Sequence, residues 1–219
     1  MDYGSMVGES FEYAKDAVVG KWNKWVMFII ATILLGIPLM GYSMKILRGE
    51  KPAPEVEGWG TLFVDGIKYL IVSLIYAIPL IIVWFIVLGA SVVGMMSGDP
   101  TAMMAAFGAM AIGLIILLIL AIIVAVFEMI GIVRFARTGS IGEAFNFGEI
   151  LATIGKIGWV PYIIAIIVLV IVGFIFAIIV GILMMIPILG LILYLCLISP
   201  WAIFISRYVC QLYDAAGAA

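Results

Sequence analysis

Long uncharged stretches divide this chain. Trp25–Met44 gives 20 residues between Lys24 and Lys45, and Tyr69–Gly98 gives 30 between Lys68 and Asp99. Pro100–Phe127 gives 28 before Glu128, and Ile157–Ser206 gives 50 between Lys156 and Arg207. A bilayer-crossing helix needs about 20 apolar residues. The first three stretches therefore predict one helix each and the last predicts two, since one 50-residue helix would reach about 75 Å. The fold at 186–190 (Ile-Pro-Ile-Leu-Gly) is the natural turn in that last stretch. It is so apolar that it must lie at the membrane interface or inside protein. The pattern predicts helices near 25–47, 67–97, 102–135, 159–185 and 189–212. The predicted class is all-α: a polytopic transmembrane bundle of about five spans, forming a single integral membrane domain over residues 1–219.

Three further segments mix aromatic residues with charge: Ser5 to Gly20, Trp59 to Lys68 and Ser140 to Lys156. Such segments suit helices lying in the headgroup layer. Each precedes a predicted span, the first, second and fourth, so the chain hints at a degenerate repeat of interfacial helix and span. Arg48 to Gly58 is the one clearly soluble stretch. Its Pro52 and Pro54, two apart, favour an extended path. Asp99-Pro100 marks a tight turn.

Composition fits this reading: 67% of residues are hydrophobic and 11% are charged, against about half and about a quarter in a soluble domain. A membrane lets the outside of the bundle be as apolar as its core. Net charge is −2 without a long basic run, so there is no electrostatic footprint for nucleic acid. With no histidine, Ser-His-Asp triads, His-ligated zinc and bis-His haem are excluded. Cys196 and Cys210 are about 21 Å apart along one predicted helix, too far for a disulfide. No cofactor is expected. The first twenty residues carry Asp2, Glu9, Glu12 and Asp16 and lack the basic-then-apolar order of a signal peptide, so the first span is expected to insert uncleaved.

Basic residues near span ends set orientation. With five spans, Lys45, Arg48, Lys51, Lys68, Arg134, Arg137, Lys156 and Arg207 fall on one side, and Lys15, Lys21 and Lys24 on the other. This distribution predicts a multi-pass protein of the cell membrane with the N-terminus outside and the C-terminus cytoplasmic. An even number of spans with the N-terminus inside is the alternative, raised by the cluster at Lys21 and Lys24.

Three motifs carry a family resemblance. They are Gly41-Tyr42-Ser43-Met44-Lys45-Ile46-Leu47-Arg48-Gly49, Trp59-Gly60-Thr61-Leu62-Phe63-Val64-Asp65-Gly66-Ile67-Lys68, and Arg134-Phe135-Ala136-Arg137-Thr138-Gly139-Ser140 followed by Ala144-Phe145-Asn146-Phe147. Together they resemble the membrane family called domain of unknown function 4013, frequent in archaea. The resemblance covers most of the chain and implies a multi-span membrane fold with no assigned activity or catalytic residue. The 52–55 linker only loosely matches the acidic, proline-bearing linker of that family.

Candidate chemistry is sparse. Glu128 is the only acidic residue within a predicted span, and an intramembrane carboxylate is by default a functional candidate. It is read as a boundary carboxylate near Arg134 or Lys156, with proton or ion handling and an interhelical bond as the alternatives. Asp65 is a solvated polar residue or a partner for Arg48 or Arg137. Arg134 and Arg137, three apart on one helix face, are orientation anchors or grips for a lipid phosphate. Small residues four apart, including Gly94 and Gly98, Gly113, and Gly173 and Gly181, predict close helix packing. Pro38, Pro79, Pro161 and Pro200 mark kinks. The expected function is that of a non-enzymatic bundle binding lipids or membrane-protein partners, with homo-oligomers among the options. The alternative is a small transporter or oligomeric channel.

Overall fold

The computed structural model describes residues 1–186 and 188–217, and is helical throughout, with no strand among the described residues. In chain order the elements are α1 (Tyr3–Val18), α2 (Trp22–Ile33), α3 (Ile37–Leu47), α4 (Trp59–Met96), α5 (Pro100–Thr138), a 3-10 turn (Ile141–Phe145), α6 (Phe147–Ile157), α7 (Trp159–Met184) and α8 (Leu189–Asp214). Among the described residues, α4, α5, α7 and α8 are long and apolar enough to cross a membrane, and α2 with α3 would make a fifth span if counted as one. The described part of the chain is therefore an all-α polytopic bundle. Its contacts divide into two compact units, Met1–Ile71 with Met129–Ala219, and Val72–Glu128.

Where one helix was expected near 25–47, α2 and α3 are separate and bent from each other by 119°. Leu35 and Gly36 both take positive φ, 59° and 70°, which ends α2 and reverses the chain. Pro38 then sits in the first turn of α3, where its missing N–H costs nothing. Helices of 12 and 11 residues rise about 18 and 16 Å, each short of a hydrocarbon core about 30 Å thick. A second correction concerns Trp59 to Lys68, which is no separate interfacial helix but the first turns of the continuous 38-residue α4. The Ser5 to Gly20 segment forms α1, and the Ser140 to Lys156 segment forms the 3-10 turn and α6. Of the expected turn between α7 and α8, Pro187 lies outside the described residues.

Within the larger unit α8 is the hub, packing against α1, α2, α3, α6 and α7. Its second half buries Ile203, Ser206, Arg207, Tyr208, Cys210 and Leu212. The Tyr208 hydroxyl donates to Ala165 O at 2.9 Å, which satisfies a polar group deep between α7 and α8. Gln211 Nε2 donates to Met6 O at 3.3 Å and Ser10 Oγ at 2.8 Å, fixing α1 along α8. Lys24, 6% exposed, reaches Glu55 at 2.6 Å in the 48–58 loop. The Tyr13 hydroxyl donates to Glu50 O at 2.8 Å. Lys24 and the α1–α2 segment therefore lie beside the loop that follows α3.

The smaller unit takes in α4 from Val72 onward and α5 as far as Glu128. Its turn is fixed by Asp99, which N-caps α5 by accepting from Thr101 N at 2.9 Å, with Pro100 at the first helical position. Gly94 and Gly113 meet the opposing helix: a methyl at Gly94 would stand 2.6 Å from Ala106 Cβ, and one at Gly113 would stand 2.4 Å from Val87. The other expected packing glycines differ. A methyl at Gly173 would lie 3.6 Å from the Trp201 ring, an ordinary contact, whereas one at Gly98 or Gly181 would meet nothing within 4 Å, because Gly98 sits in the turn at φ 70° and Gly181 faces outward.

The tightest glycine contacts lie inside the first two sequence motifs. A methyl at Gly41 would stand 1.9 Å from Leu62 O, and one at Gly66 would stand 1.9 Å from Ile37 O. α3 and the start of α4 thus run with their backbones nearly touching, as small residues allow in membrane bundles. Gly41→Ala is expected to lower stability by about 2 kcal/mol through forced backbone separation, and Gly181→Ala to leave it unchanged. Thermal unfolding in mild detergent checks this. Equal melting of both variants and the parent protein would contradict it.

Candidate functional site

The charged end of the larger unit is built from helix termini. The last carbonyls of a helix lack intrahelical partners and carry partial negative charge. Two such ends meet here, and each is capped by an arginine from the other. Arg137, near the end of α5, donates from Nε to Leu47 O, the last residue of α3, at 2.7 Å. Arg48, just past α3, donates from Nε to Ala136 O in the last turn of α5 at 3.3 Å. The free ends of both guanidinium groups take carboxylates: Arg137 meets Asp214 at 2.6 Å and Arg48 meets Asp65 at 2.7 Å. Arg137 also lies 3.3 Å from Cys210 Sγ and over the Tyr213 ring, so it ties α3, α5 and α8 together. Gly49 takes φ 94° directly under the Arg137 guanidinium, where a methyl would lie 3.2 Å from Nη2.

Arg134 holds the next segment. Its guanidinium pairs with Glu143 in the 3-10 turn and reaches Glu149 in α6 at 3.7 Å. Asn146 donates to Glu143 at 3.3 Å and caps α6 through Glu149 N. These bonds hold the Glu143 carboxyl below the usual carboxylate range, first through Arg134 and then through Asn146. Arg207, 3% exposed, lies 4.0 Å from Glu9 and over the Tyr13 ring, so it fastens α8 to α1. Burial pushes the Tyr13 hydroxyl up to about 12, with Arg207 opposing, so it stays protonated at neutral pH and donates to Glu50 O.

The three sequence motifs are therefore one structure. Motif one supplies Gly41, Leu47 and Arg48; motif two supplies Leu62, Asp65 and Gly66; motif three supplies Arg134, Ala136 and Arg137. The family described as "Protein of unknown function (DUF4013)" matches residues 25–185. The chain belongs to this DUF4013 family. The match takes in all three motifs and stops short of α1 and α8, the two helices joined by Arg207 and Gln211. No curated protein and no solved structure matches the chain.

Ser73 on α4 lies beside the Glu128 carboxyl of α5, within the smaller unit. Arg134, the cation expected beside Glu128, is occupied by Glu143 and Glu149. No group of three or more His, Cys, Asp or Glu residues among those described is arranged to hold a metal ion. Sequence reasoning missed the helix-end role of Arg48 and Arg137, although their positions just at the ends of apolar stretches were a usable signal. It also missed Arg207, Gln211 and Ser10, whose pairing joins residues some 200 positions apart.

The Glu143 shift has a definite pH signature. A carboxyl lowered in the folded state stabilises above its ordinary value of about 4.3, and that stabilisation is lost as pH falls through the folded value. Glu143→Gln should melt below the parent protein at pH 7.5, and the gap should close below about pH 4. A gap that stays constant across this range would rule out the charge-based role.

Proposed function

We propose that this protein is a non-catalytic membrane bundle that engages anionic lipid headgroups of the cytoplasmic leaflet. In this reading α4, α5, α7 and α8 cross the bilayer, α2–α3 is a re-entrant hairpin, and both termini are cytoplasmic. Every one of the eleven Lys and Arg residues then lies on one side, and the two short turns opposite, after α4 and after α7, carry none. That distribution obeys the positive-inside rule more completely than the five-span reading. α2 supports the hairpin: Trp22, Val26, Ile30, Ile33 and Leu35 are exposed and apolar, as a lipid-facing stripe and tip must be.

The observation that carries the lipid reading is a division of labour among the cations. All four arginines are ion-paired within the protein. Of the seven lysines only Lys24 is ion-paired among the described residues. Lys15, Lys51, Lys68 and Lys156 remain for other anions, while Lys21 and Lys45 donate to backbone carbonyls of Asp16 and Glu57. Lysine is a hydrated, flexible point charge suited to a fluid headgroup layer, where each contributes about 1 kcal/mol toward an anionic surface.

Thermal unfolding of the detergent-purified protein with added phosphatidylglycerol or phosphatidylcholine tests the reading. Anionic lipid at about ten times its Kd contributes about 1.4 kcal/mol, a Tm rise of about 3–5 °C for a chain of this size. Phosphatidylcholine should give no such rise, and 0.5 M NaCl should shrink the effect. Equal shifts with both lipids would overturn the headgroup reading.

A further inference from the structure

An apolar groove of about 360 Å³ runs between α1 on one side and α7 and α8 on the other. Every described lining residue is apolar except Lys15. One wall is a rigid aromatic stack: Trp201 lies on Phe176 with ring centroids 4.3 Å apart and planes 7° apart, and on Phe204 at 5.3 Å. The α7 wall continues from Val172 to Ile179, about 10 Å along the helix toward its apolar turn. Polar groups offering water two or more hydrogen bonds are lacking along these walls, so hydrocarbon is the compatible filling.

Three features select the occupant. α1 is an interfacial helix: it buries Met6, Ser10, Ala14, Ala17 and Val18 and exposes Glu9, Glu12, Lys15 and Asp16, with exposed Phe11 and Val19 beside the groove. The mouth of the groove therefore lies at headgroup depth. Lys15, at that mouth, is exposed and makes no ion pair among the described residues. The volume suits one narrow ligand, near the lower end of small-molecule sites.

We infer that this groove holds one hydrocarbon chain of an anionic membrane lipid whose headgroup phosphate pairs with Lys15. This deepens the lipid reading above and rests on it: the diffuse lysines attract anionic lipid, and the α1–α7–α8 groove retains a single molecule. Because α1 supplies both Lys15 and one wall, a bound lipid also ties α1 to the α7–α8 pair.

Native mass spectrometry of the full chain in mild detergent with added phosphatidylglycerol or phosphatidylcholine tests this. Two exposed positions are varied, Lys15→Glu at the mouth and Ile179→Trp in the wall. The parent protein should retain one phosphatidylglycerol in preference to phosphatidylcholine. Ile179→Trp should cut retention of that lipid about tenfold by filling the groove, and Lys15→Glu should abolish the preference between headgroups. If both variants retain phosphatidylglycerol as the parent does, the groove assignment is overturned while the lipid reading stands. If the parent prefers neither lipid, both fall. A dimer peak lost in Ile179→Trp with lipid retention unchanged would assign the groove to a second copy and overturn the proposal. Photolysis of a diazirine-bearing phosphatidylglycerol on the parent protein gives a reading independent of variant folding. Adducts on Ile179 or Trp201 support the site, and adducts only elsewhere overturn it.

Discussion

Two arginines that cap each other's helices hold the charged end of this protein together. Leu47 O and Ala136 O are helix-end carbonyls that no intrahelical donor satisfies, and in an apolar setting each such group left bare costs several kcal/mol. Arg137 and Arg48 satisfy them crosswise, then neutralise their own charge on Asp214 and Asp65. The exchange requires the C-terminal ends of α3 and α5 to meet. α3 must then run back toward the charged end immediately after α2, which the positive φ values at Leu35 and Gly36 permit.

From that constraint the rest of the larger unit follows. With α3 turned back, Gly41 and Gly66 let it lie against the first turns of α4 at backbone contact. The 48–58 loop comes to lie beside the N-terminal segment, where Glu55 meets Lys24 and Glu50 O meets Tyr13. α8, reached by Arg137 through Asp214 and Cys210, gathers α1 by Gln211 and Arg207. Arginine takes the fixed positions, with Arg48 and Arg137 each bonding a backbone carbonyl and a carboxylate, and Lys24 is the one lysine ion-paired among the described residues.

Much of the helical inventory was legible in the sequence. Spans near 67–97, 102–135, 159–185 and 189–212 emerge from the spacing of charges because lipid admits so few charged residues. The break inside 25–47 was not legible from that spacing. Hydropathy reads composition, and Leu34-Leu35-Gly36 is as apolar as a straight helix; only the glycine followed by Pro38 marked the stop. Asp65 was a considered partner for Arg48, since both bracket one short soluble loop. The capping bonds were hidden because they end on backbone carbonyls, which every residue carries. Glu128 was conspicuous as a lone acid, yet the Ser73 beside it is an ordinary hydroxyl with no sequence signature. The groove at Lys15 joins three distant segments and had no local signal at all.

In the topology we propose, the chain doubles back after α2, so that the N-terminal segment and the 48–58 loop share one face of the membrane. Single cysteines at Lys21, Lys51 and Asp99, in a background with Cys196 and Cys210 replaced by serine, test it directly with an impermeant thiol reagent on intact cells. The account predicts that Asp99→Cys is labelled in intact cells, while Lys21→Cys and Lys51→Cys are labelled only after permeabilisation. Labelling of Lys21→Cys together with Asp99→Cys, with Lys51→Cys protected, would mean that the α2–α3 segment crosses the bilayer and would contradict it.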